Sequence, residues 1–167
     1  MHAGHEVVED TVDVRAHFIP GGNLMNGLSP YLYLGAAWKP AKWLDLELDL
    51  GVDFTNAEPL ISLKPSIKVD DFWAWAELDV QFPSYSGYWF VQLQYKLHDV
   101  VHIGVEGEGW GNWAKPTSWS NGAGPNVLLR FAQYFGVDLA LHLREGSADG
   151  GGRTWGFDPF VRVHLFF

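Results

Sequence analysis

Apolar and polar residues alternate along most of this chain, and that period of two limits the folds open to it. Residues 44–54 show the pattern best, because every even position is apolar and every odd position is acidic or glycine. Successive side chains of a β-strand point to opposite faces, so this segment predicts a strand with one apolar and one acidic face. At about 3.3 Å per residue, a tilted strand of this length can cross the hydrocarbon core of a bilayer.

The same period predicts about ten antiparallel strands. They lie at residues 11–19, 31–38, 44–54, 60–69, 72–82, 89–97, 101–108, 127–131, 137–144 and 160–167. Tight turns are predicted at residues 39–42, 70–71, 98–99 and 134–136. Longer connections, rich in Gly, Pro and Ser, are predicted at residues 20–29, 55–59, 83–88, 111–125 and 146–155. Short turns at one end and long loops at the other are typical of bacterial outer-membrane barrels.

We therefore expect an all-β fold, a closed antiparallel up-and-down transmembrane β-barrel of residues 11–167. Residues 1–10 are expected to form an N-terminal periplasmic segment, and they lack the basic start and apolar core of a signal peptide, as in a mature secreted protein. An even strand number would place both termini on the periplasmic side. Pro65 and Pro159 each predict a bulge or a missing hydrogen bond, because proline cannot donate to a ladder.

Two features favour a membrane barrel over a soluble one, which would alternate in the same way. The polar faces of neighbouring predicted strands carry opposite charges, which suits a partly dehydrated interior. Aromatic residues also gather at both strand ends, as in the aromatic girdles of membrane proteins. The short-turn end has Trp38, Trp43, Phe72, Trp73, Tyr95, Tyr134 and Phe135. The other end has Phe18, Phe54, Phe82, Tyr85, Tyr88, Trp89, Trp110 and Trp155.

The chain ends in an alternating segment, residues 160–167, whose last residue is Phe167. This segment resembles the C-terminal signature of bacterial outer-membrane β-barrel proteins, a final strand with a terminal aromatic residue. The resemblance covers this strand and the general alternation, and it points to the class rather than to one family within it. It implies location in the bacterial outer membrane, contact with outer-membrane lipids, and recognition of the last strand by the barrel assembly machinery.

Composition excludes other classes of protein. The 167 residues carry a formal net charge of −9 with only 11 Lys and Arg, so a nucleic-acid partner is not expected. No apolar run approaches the roughly 18 residues of a membrane-spanning helix. Cysteine is absent, which excludes disulfides and thiolate metal sites.

Charged side chains on the polar faces are the predicted lining of the barrel lumen. The candidates are Asp45, Glu47, Asp49, Lys64, Lys68, Glu77, Asp79, Lys96, Glu106, Glu108, Arg130, Asp138, His142, Arg144 and Arg162. Acids outnumber bases on these faces, which predicts a narrow, porin-like pore that prefers cations and passes ions or small solutes. The alternative is a lumen plugged by mutually paired charges, in a structural or partner-binding subunit of an outer-membrane assembly. A barrel of this size lies between side-chain-filled barrels of about eight strands and porins of about sixteen.

Four histidines, His17, His102, His142 and His164, also point to the predicted lumen. They lie on four strands at different heights, whereas a metal site needs several ligands converging at about 2 Å. We therefore expect hydrogen-bonded lumen histidines, and neither a metal site nor a cofactor. His2 and His5 with the terminal amine could bind a metal adventitiously.

The predicted connection at residues 111–125 carries candidate partner-binding residues, Trp113 and Trp119, with Trp110 at its base. Exposed aromatic side chains anchor protein partners, including other membrane proteins, and they anchor equally well in lipid headgroups. The same connection contains Ser118-Trp119-Ser120-Asn121-Gly122, which is similar to the His-x-Ser-Asn segment of the lipid A 3-O-deacylase family. No histidine precedes Ser120 at that spacing, so a lipid hydrolase lacks an evident general base and an enzyme is not expected.

Overall fold

The computed structural model describes residues 2–8, 11–23, 27–132, 135–147 and 153–165, and they are almost entirely β-strand. None of these residues forms a helix long and apolar enough to cross a membrane. The strands are β1 (His2–Val8), β2 (Val12–Ile19), β3 (Gly22–Asn23), β4 (Gly27–Leu28), β5 (Tyr31–Ala41), β6 (Leu44–Asp53), β7 (Glu58–Val69), β8 (Phe72–Gln81), β9 (Ser86–Lys96), β10 (Val101–Asn112), β11 (Lys115–Ala132), β12 (Phe135–Ser147) and β13 (Arg153–Leu165).

Eleven of these strands form one antiparallel sheet in which each strand pairs with the next one along the chain. The order is β1-β2-β5-β6-β7-β8-β9-β10-β11-β12-β13, and β3 and β4 form a separate two-residue ribbon within the β2–β5 connection. The predicted all-β, antiparallel, up-and-down architecture is confirmed. The ladders run from β1 to β13, and among the described residues no pairing joins these two strands to each other.

Strand β1 is the strand of this sheet that is additional to the ten predicted ones, and it lies within the segment predicted to be outside the barrel. It pairs with β2 from His2 opposite His17 to Val8 opposite Val12, and its register shifts between Glu6 and Val8. Residues 4–8 are exposed on both faces of the strand. Sequence alternation failed to identify β1 because neither face is buried over these residues, so neither has a fixed polarity.

The prediction of a long connection at residues 111–125 is wrong. Strand β10 continues to Asn112 and β11 begins at Lys115, which leaves a turn of two residues. The Gly- and Ser-rich stretch is a strand because its neighbours need small residues: a Cβ on Gly124 would lie 1.9 Å from the carbonyl oxygen of Leu141 on β12. Glycine in a strand often marks such a close approach of two backbones.

Several other connections are also shorter than predicted, and the turn predicted at residues 39–42 narrows to residues 42–43. The turn predicted at residues 98–99 is instead longer and spans residues 97–100. The tight turn at residues 70–71 is confirmed, with Asp70 at a φ of 51°. The stretches predicted at residues 55–59 and 83–88 shrink to residues 54–57 and 82–85. Tyr134, Phe166 and Phe167 lie outside the described residues, as do residues 148–152 of the predicted connection at residues 146–155. The described residues of that connection belong to β12 and β13.

The two prolines behave differently. The β7–β8 ladder is interrupted at Lys64 and Pro65, where no partner on β8 is paired, while Pro65 still lies opposite Leu46 on β6. The missing N–H of Pro65 accounts for this predicted gap. Pro159 lies opposite Leu141 in an unbroken β12–β13 ladder, on the last strand of the sheet, where a proline costs no described hydrogen bond.

Burial in this sheet is the inverse of burial in a water-soluble protein. The buried side chains are mostly charged or polar, and only a few, such as Leu60 and Phe90, are apolar. The large apolar side chains of the same strands are exposed, with Leu50 at 67% and Leu34 at 61%. The alternating faces therefore separate into a polar buried side and an apolar outer side.

Contacts between distant strands show that the sheet curls around its polar side. The Tyr33 hydroxyl on β5 donates to Asp79 on β8, three strands away, at 3.0 Å. The Arg162 guanidinium on β13 lies 5.2 Å from the ring centroid of Phe90 on β9, four strands away. Neighbouring strands in a flat sheet are about 4.8 Å apart, so these side chains could meet only across a strongly concave face.

Candidate functional site

Small residues on β5 let side chains of β2 reach β6 across the intervening strand. Gly35 lies between Arg15 on β2 and Asp49 on β6, and Ala37 lies between Asp13 and Glu47. A Cβ on Gly35 would lie 2.0 Å from Asp49 Oδ1, so the Asp49 carboxylate occupies the space that a larger residue would fill.

Arg15 is the main link across that gap. Its Nη1 donates to Glu47 Oε2 at 2.7 Å and to Asp45 Oδ1 at 3.2 Å. Its Nη2 donates to Asp13 Oδ2 at 2.9 Å, and Lys39 Nζ approaches the same oxygen at 2.8 Å. One guanidinium therefore holds carboxylates from two non-adjacent strands.

His17 forms the next layer. Its Nε2 contacts Glu47 Oε1 and lies 4.0 Å from Asp49 Oδ2. All three residues are buried, and one ligand atom from each lies within 4.8 Å of the others. This group of one imidazole and two carboxylates is the described cluster with the chemistry of a metal site.

Lys64 is the buried cation on the other side of Asp49. Its Nζ donates to Asp49 Oδ2 at 2.5 Å, lies 3.7 Å from Glu77 Oε1 and sits 3.9 Å from the centroid of the Tyr33 ring. Four buried oxygens around it make no described hydrogen bond: Asp49 Oδ1, Ser62 Oγ, Glu77 Oε1 and Asp79 Oδ1. This half of the sheet therefore holds more negative charge than its described hydrogen bonds compensate.

A second network joins β9 through β13. Arg162 donates to Glu106 Oε1 at 2.5 Å and to Glu108 Oε2 at 3.1 Å, and Arg144 donates to Glu108 Oε1 at 2.6 Å. His142 Nε2 lies 2.9 Å from Glu106 Oε1. Gln92 Nε2 donates to both Glu106 and Asp138, at 2.9 and 2.8 Å. Here two guanidiniums satisfy the carboxylates more completely than in the first network.

The predicted lumen residues divide into a buried set and a set near the strand ends. The buried ones are Glu47, Asp49, Lys64, Glu77, Asp79, Glu106, Glu108, Asp138 and His142. The partly exposed ones are Asp45, Lys96, Arg130, Arg144 and Arg162, and Lys68 is exposed. Four uncharged residues are buried on the same side: Tyr33, Ser62, Gln94 and Asn126. A prediction based on charged residues missed them, although they occupy the same alternate positions of their strands.

Lys96 belongs to the rim rather than to the buried networks. Its Nζ lies 2.7 Å from Asp99 in the β9–β10 turn, where Asp99 is exposed. The hydrogen bond from Lys96 holds the pKa of the Asp99 carboxyl below its usual range.

The three candidate partner-binding tryptophans lie at one rim of the sheet. Trp110 is in β10 and stacks under the Arg144 guanidinium, 4.0 Å from its ring centroid. Trp113 occupies the β10–β11 turn, donates from Nε1 to the Asp79 carbonyl oxygen at 3.1 Å, and packs on Trp119 at 4.6 Å between ring centroids. They are therefore fixed by hairpin contacts rather than carried on a long loop, although Trp110 and Trp113 keep more than 40% of their surface exposed.

The serines of the hydrolase-like segment are engaged with the backbone. The Ser120 hydroxyl donates to the Glu145 carbonyl oxygen at 3.1 Å, and the Ser118 hydroxyl donates to the Lys115 carbonyl oxygen at 2.8 Å. Neither of these two hydrogen bonds joins a serine hydroxyl to a side-chain base.

No protein-family model matches this sequence, and the comparisons with curated proteins and with solved structures found no match either.

Proposed function

We propose that the protein is an outer-membrane β-barrel whose interior is filled by its own ion-paired side chains. In this proposal it is a structural or partner-binding subunit of an outer-membrane assembly. The observation that carries the proposal is the inverted burial, with charges hidden and large apolar side chains exposed along the same strands. Water would contact a large apolar surface in this arrangement, whereas lipid would cover it favourably.

Aromatic side chains support the same placement. Trp38 and Trp43 are about half exposed beside the β5–β6 turn, and Phe54 and Tyr85 are about half exposed in connections at the opposite ends of the strands. Rings at both ends of an apolar outer side suit the two interfaces of a bilayer. In the proposed orientation the short turns face the periplasm.

Closure of the sheet is part of the proposal, because an open edge in lipid would leave backbone N–H and C=O groups without partners. Strands β1 and β13 are the first and last of eleven alternating strands, so they run in the same direction and would close as a parallel pair. Strands β2 and β13 run in opposite directions. We infer that β13 closes the barrel against β2 and displaces β1, which leaves the even number of strands usual in bacterial barrels.

The residues predicted to line a pore are almost inaccessible to solvent, and this supports the filled interior. Asp49 and His142 are fully buried, and Asp138 is 1% exposed. Ion pairs cross the interior from non-adjacent strands, such as Arg15 with Glu47 and Arg162 with Glu106. The cation-preferring pore predicted from the sequence remains a prediction, and the excess of carboxylates around Lys64 is the feature that favours it.

The proposed contacts follow from the same surfaces. Outer-membrane lipids would cover the apolar outer side, and the assembly machinery would recognise the final strand. Trp113, exposed at the rim, is the proposed contact for a membrane-protein partner.

Planar-bilayer recording of refolded protein tests whether the interior conducts ions. A change of gel migration on boiling demonstrates that the barrel is folded, and from such protein we expect no reproducible current steps. Cation-selective steps that lose selectivity in Glu77→Gln would overturn the filled interior and establish the pore. Solubility in water without detergent would instead overturn the membrane placement.

A further inference from the structure

We propose that His17, Glu47 and Asp49 bind one divalent cation of the Zn²⁺ class, which joins β2 to β6 inside the sheet. Their ligand atoms lie within 4.8 Å of one another, and all three side chains are buried. This proposal goes beyond the filled barrel, and it requires neither a closed sheet nor a membrane.

The distances between the ligand atoms lie on either side of the one that a tetrahedral ion imposes. Zn²⁺ binds imidazole nitrogen and carboxylate oxygen at about 2.0–2.2 Å, so neighbouring ligand atoms lie about 3.3 Å apart. His17 Nε2 is already in contact with Glu47 Oε1 and lies 4.0 Å from Asp49 Oδ2. Insertion of an ion would separate the first pair and draw Asp49 closer, through rotation of the side chains.

Asp49 provides an independent observation. It is fully buried, and its Oδ1 has no hydrogen-bond partner among the described residues, while its Oδ2 accepts from Lys64. This free oxygen lies over Gly35, on the β2 side of the carboxylate, because a Cβ there would be 2.0 Å from it. A buried carboxylate oxygen without a donor is costly, and a cation on that side would satisfy it.

The surrounding groups can act as a second coordination layer. Arg15 donates to Glu47 Oε2, which leaves Oε1 directed at His17. Lys64 holds Asp49 Oδ2, the oxygen 4.0 Å from His17 Nε2, so rotation of the carboxyl group would present the unpartnered Oδ1 to the ion. Outer partners of this kind orient metal ligands and are themselves important for affinity.

The local charge balance also favours a cation. The carboxylates in this network are Asp13, Asp45, Glu47, Asp49, Glu77 and Asp79, and the permanent cations beside them are Arg15, Lys39 and Lys64. The acidic residues outnumber the permanent cations by three, so a divalent ion would reduce an excess of negative charge. One imidazole with two carboxylates suits Zn²⁺ or Co²⁺ better than Mg²⁺ or Ca²⁺, which prefer oxygen ligands alone.

Metal uptake by the refolded full chain tests the proposal. The protein is unfolded with a chelator, refolded in detergent with Zn²⁺, desalted and analysed for zinc by mass spectrometry. Refolding with Co²⁺ provides a second readout, since a tetrahedral site gives an intense visible absorption band. We expect one Zn²⁺ per chain and at least about a tenfold loss of affinity in His17→Gln and in Asp49→Asn.

Two controls separate this site from other histidines. His142→Gln changes a fully buried histidine that lies against Glu106, and it should retain one Zn²⁺. The double variant His2→Ala/His5→Ala removes adventitious binding near the chain start and should also retain it. Zinc that persists in His17→Gln, zinc lost only in the His2/His5 variant, or no stoichiometric zinc in folded wild type would each overturn the proposal. If the two site variants do not fold, the wild-type cobalt spectrum decides: absence of the tetrahedral band overturns the site.

Discussion

Gly35 determines how far side chains of β2 reach across the sheet. It faces the buried side between Arg15 and Asp49, where an added methyl group would lie 2.0 Å from Asp49 Oδ1 and 2.2 Å from the Leu48 carbonyl oxygen. The second contact is with backbone, which cannot rotate away. The charged network of β2 and β6 therefore depends on the absence of one Cβ.

Gly35→Ala should destabilise the folded protein by about 1–3 kcal/mol, because the strands must separate to admit the methyl group. The matched control is Gly156→Ala in β13, where an added Cβ has no atom within 4 Å. Urea unfolding in detergent micelles, followed by tryptophan fluorescence, measures both. An equal loss of stability in the two variants would contradict the role given to Gly35.

Single residues show what the sequence could not predict about the site. Parity placed Glu47, Asp49 and His17 on polar faces, and the structure buries all three. Their contact was not predictable, because β2 and β6 are separated by β5 and the approach depends on sheet curvature as well as on Gly35. The four histidines lie on different predicted strands, which predicts no shared site, whereas the relevant neighbours of His17 are carboxylates two strands away.

Strands were predictable where one face is buried and the other is apolar. Residues 44–54 were predicted as a strand, and β6 covers Leu44–Asp53. Residues 115–126 were missed because Gly, Ser and Pro are typical of loops, while here they accommodate the backbones of β10 and β12. Alternation in the sequence reflects a difference in burial between the two faces of a strand. It therefore also missed β1, whose residues 4–8 are exposed on both faces.

Removal of residues 1–10 should leave a protein that still folds in detergent. Residues 4–8 of β1 are exposed, and the β1–β2 ladder has a register shift between Glu6 and Val8, so its loss should uncover little buried surface. In the proposed closure it also frees the edge of β2 for β13. The measurement is the migration difference between boiled and unboiled protein on a gel, with circular dichroism to confirm strand content.

Removal of residues 153–167 is the matched comparison at the other edge. Strand β13 carries Arg162, which bridges Glu106 and Glu108, so this deletion should abolish folding. A shortened chain without β1 that also fails to fold would show that β1 belongs to the barrel wall.

The whole molecule presents its apolar side outward, and the proposed solvent for that side is lipid. Leu48 is 58% exposed near the middle of β6, and Leu50 beside it is also exposed. In water, an exposed leucine of this kind tolerates a charged replacement, whereas the centre of a bilayer does not. A charged substitution at Leu48 therefore distinguishes a surface in water from a surface in lipid.

Leu48→Arg should destabilise the bilayer-folded protein by about 2–4 kcal/mol, as expected for a cation near the bilayer midplane. Thr55→Arg is the control, because Thr55 is exposed in the connection between β6 and β7, beyond the apolar outer side of the strands. Unfolding in lipid vesicles measures the difference. A change below about 0.5 kcal/mol in both variants would indicate that Leu48 does not face lipid.

The pairing of β1 with β2 also decides on which side of a membrane the start of the chain would lie. His2 pairs with His17 beside the β2–β5 connection, while Leu165 pairs with Phe135 at the opposite ends of the strands. With β1 in place, a label at residue 2 would be accessible from outside the cell and a label at residue 165 only from the periplasm. Displacement of β1 by β13 would bring both labels to the periplasmic side, so the sidedness of residue 2 reports which strand occupies the edge of β2.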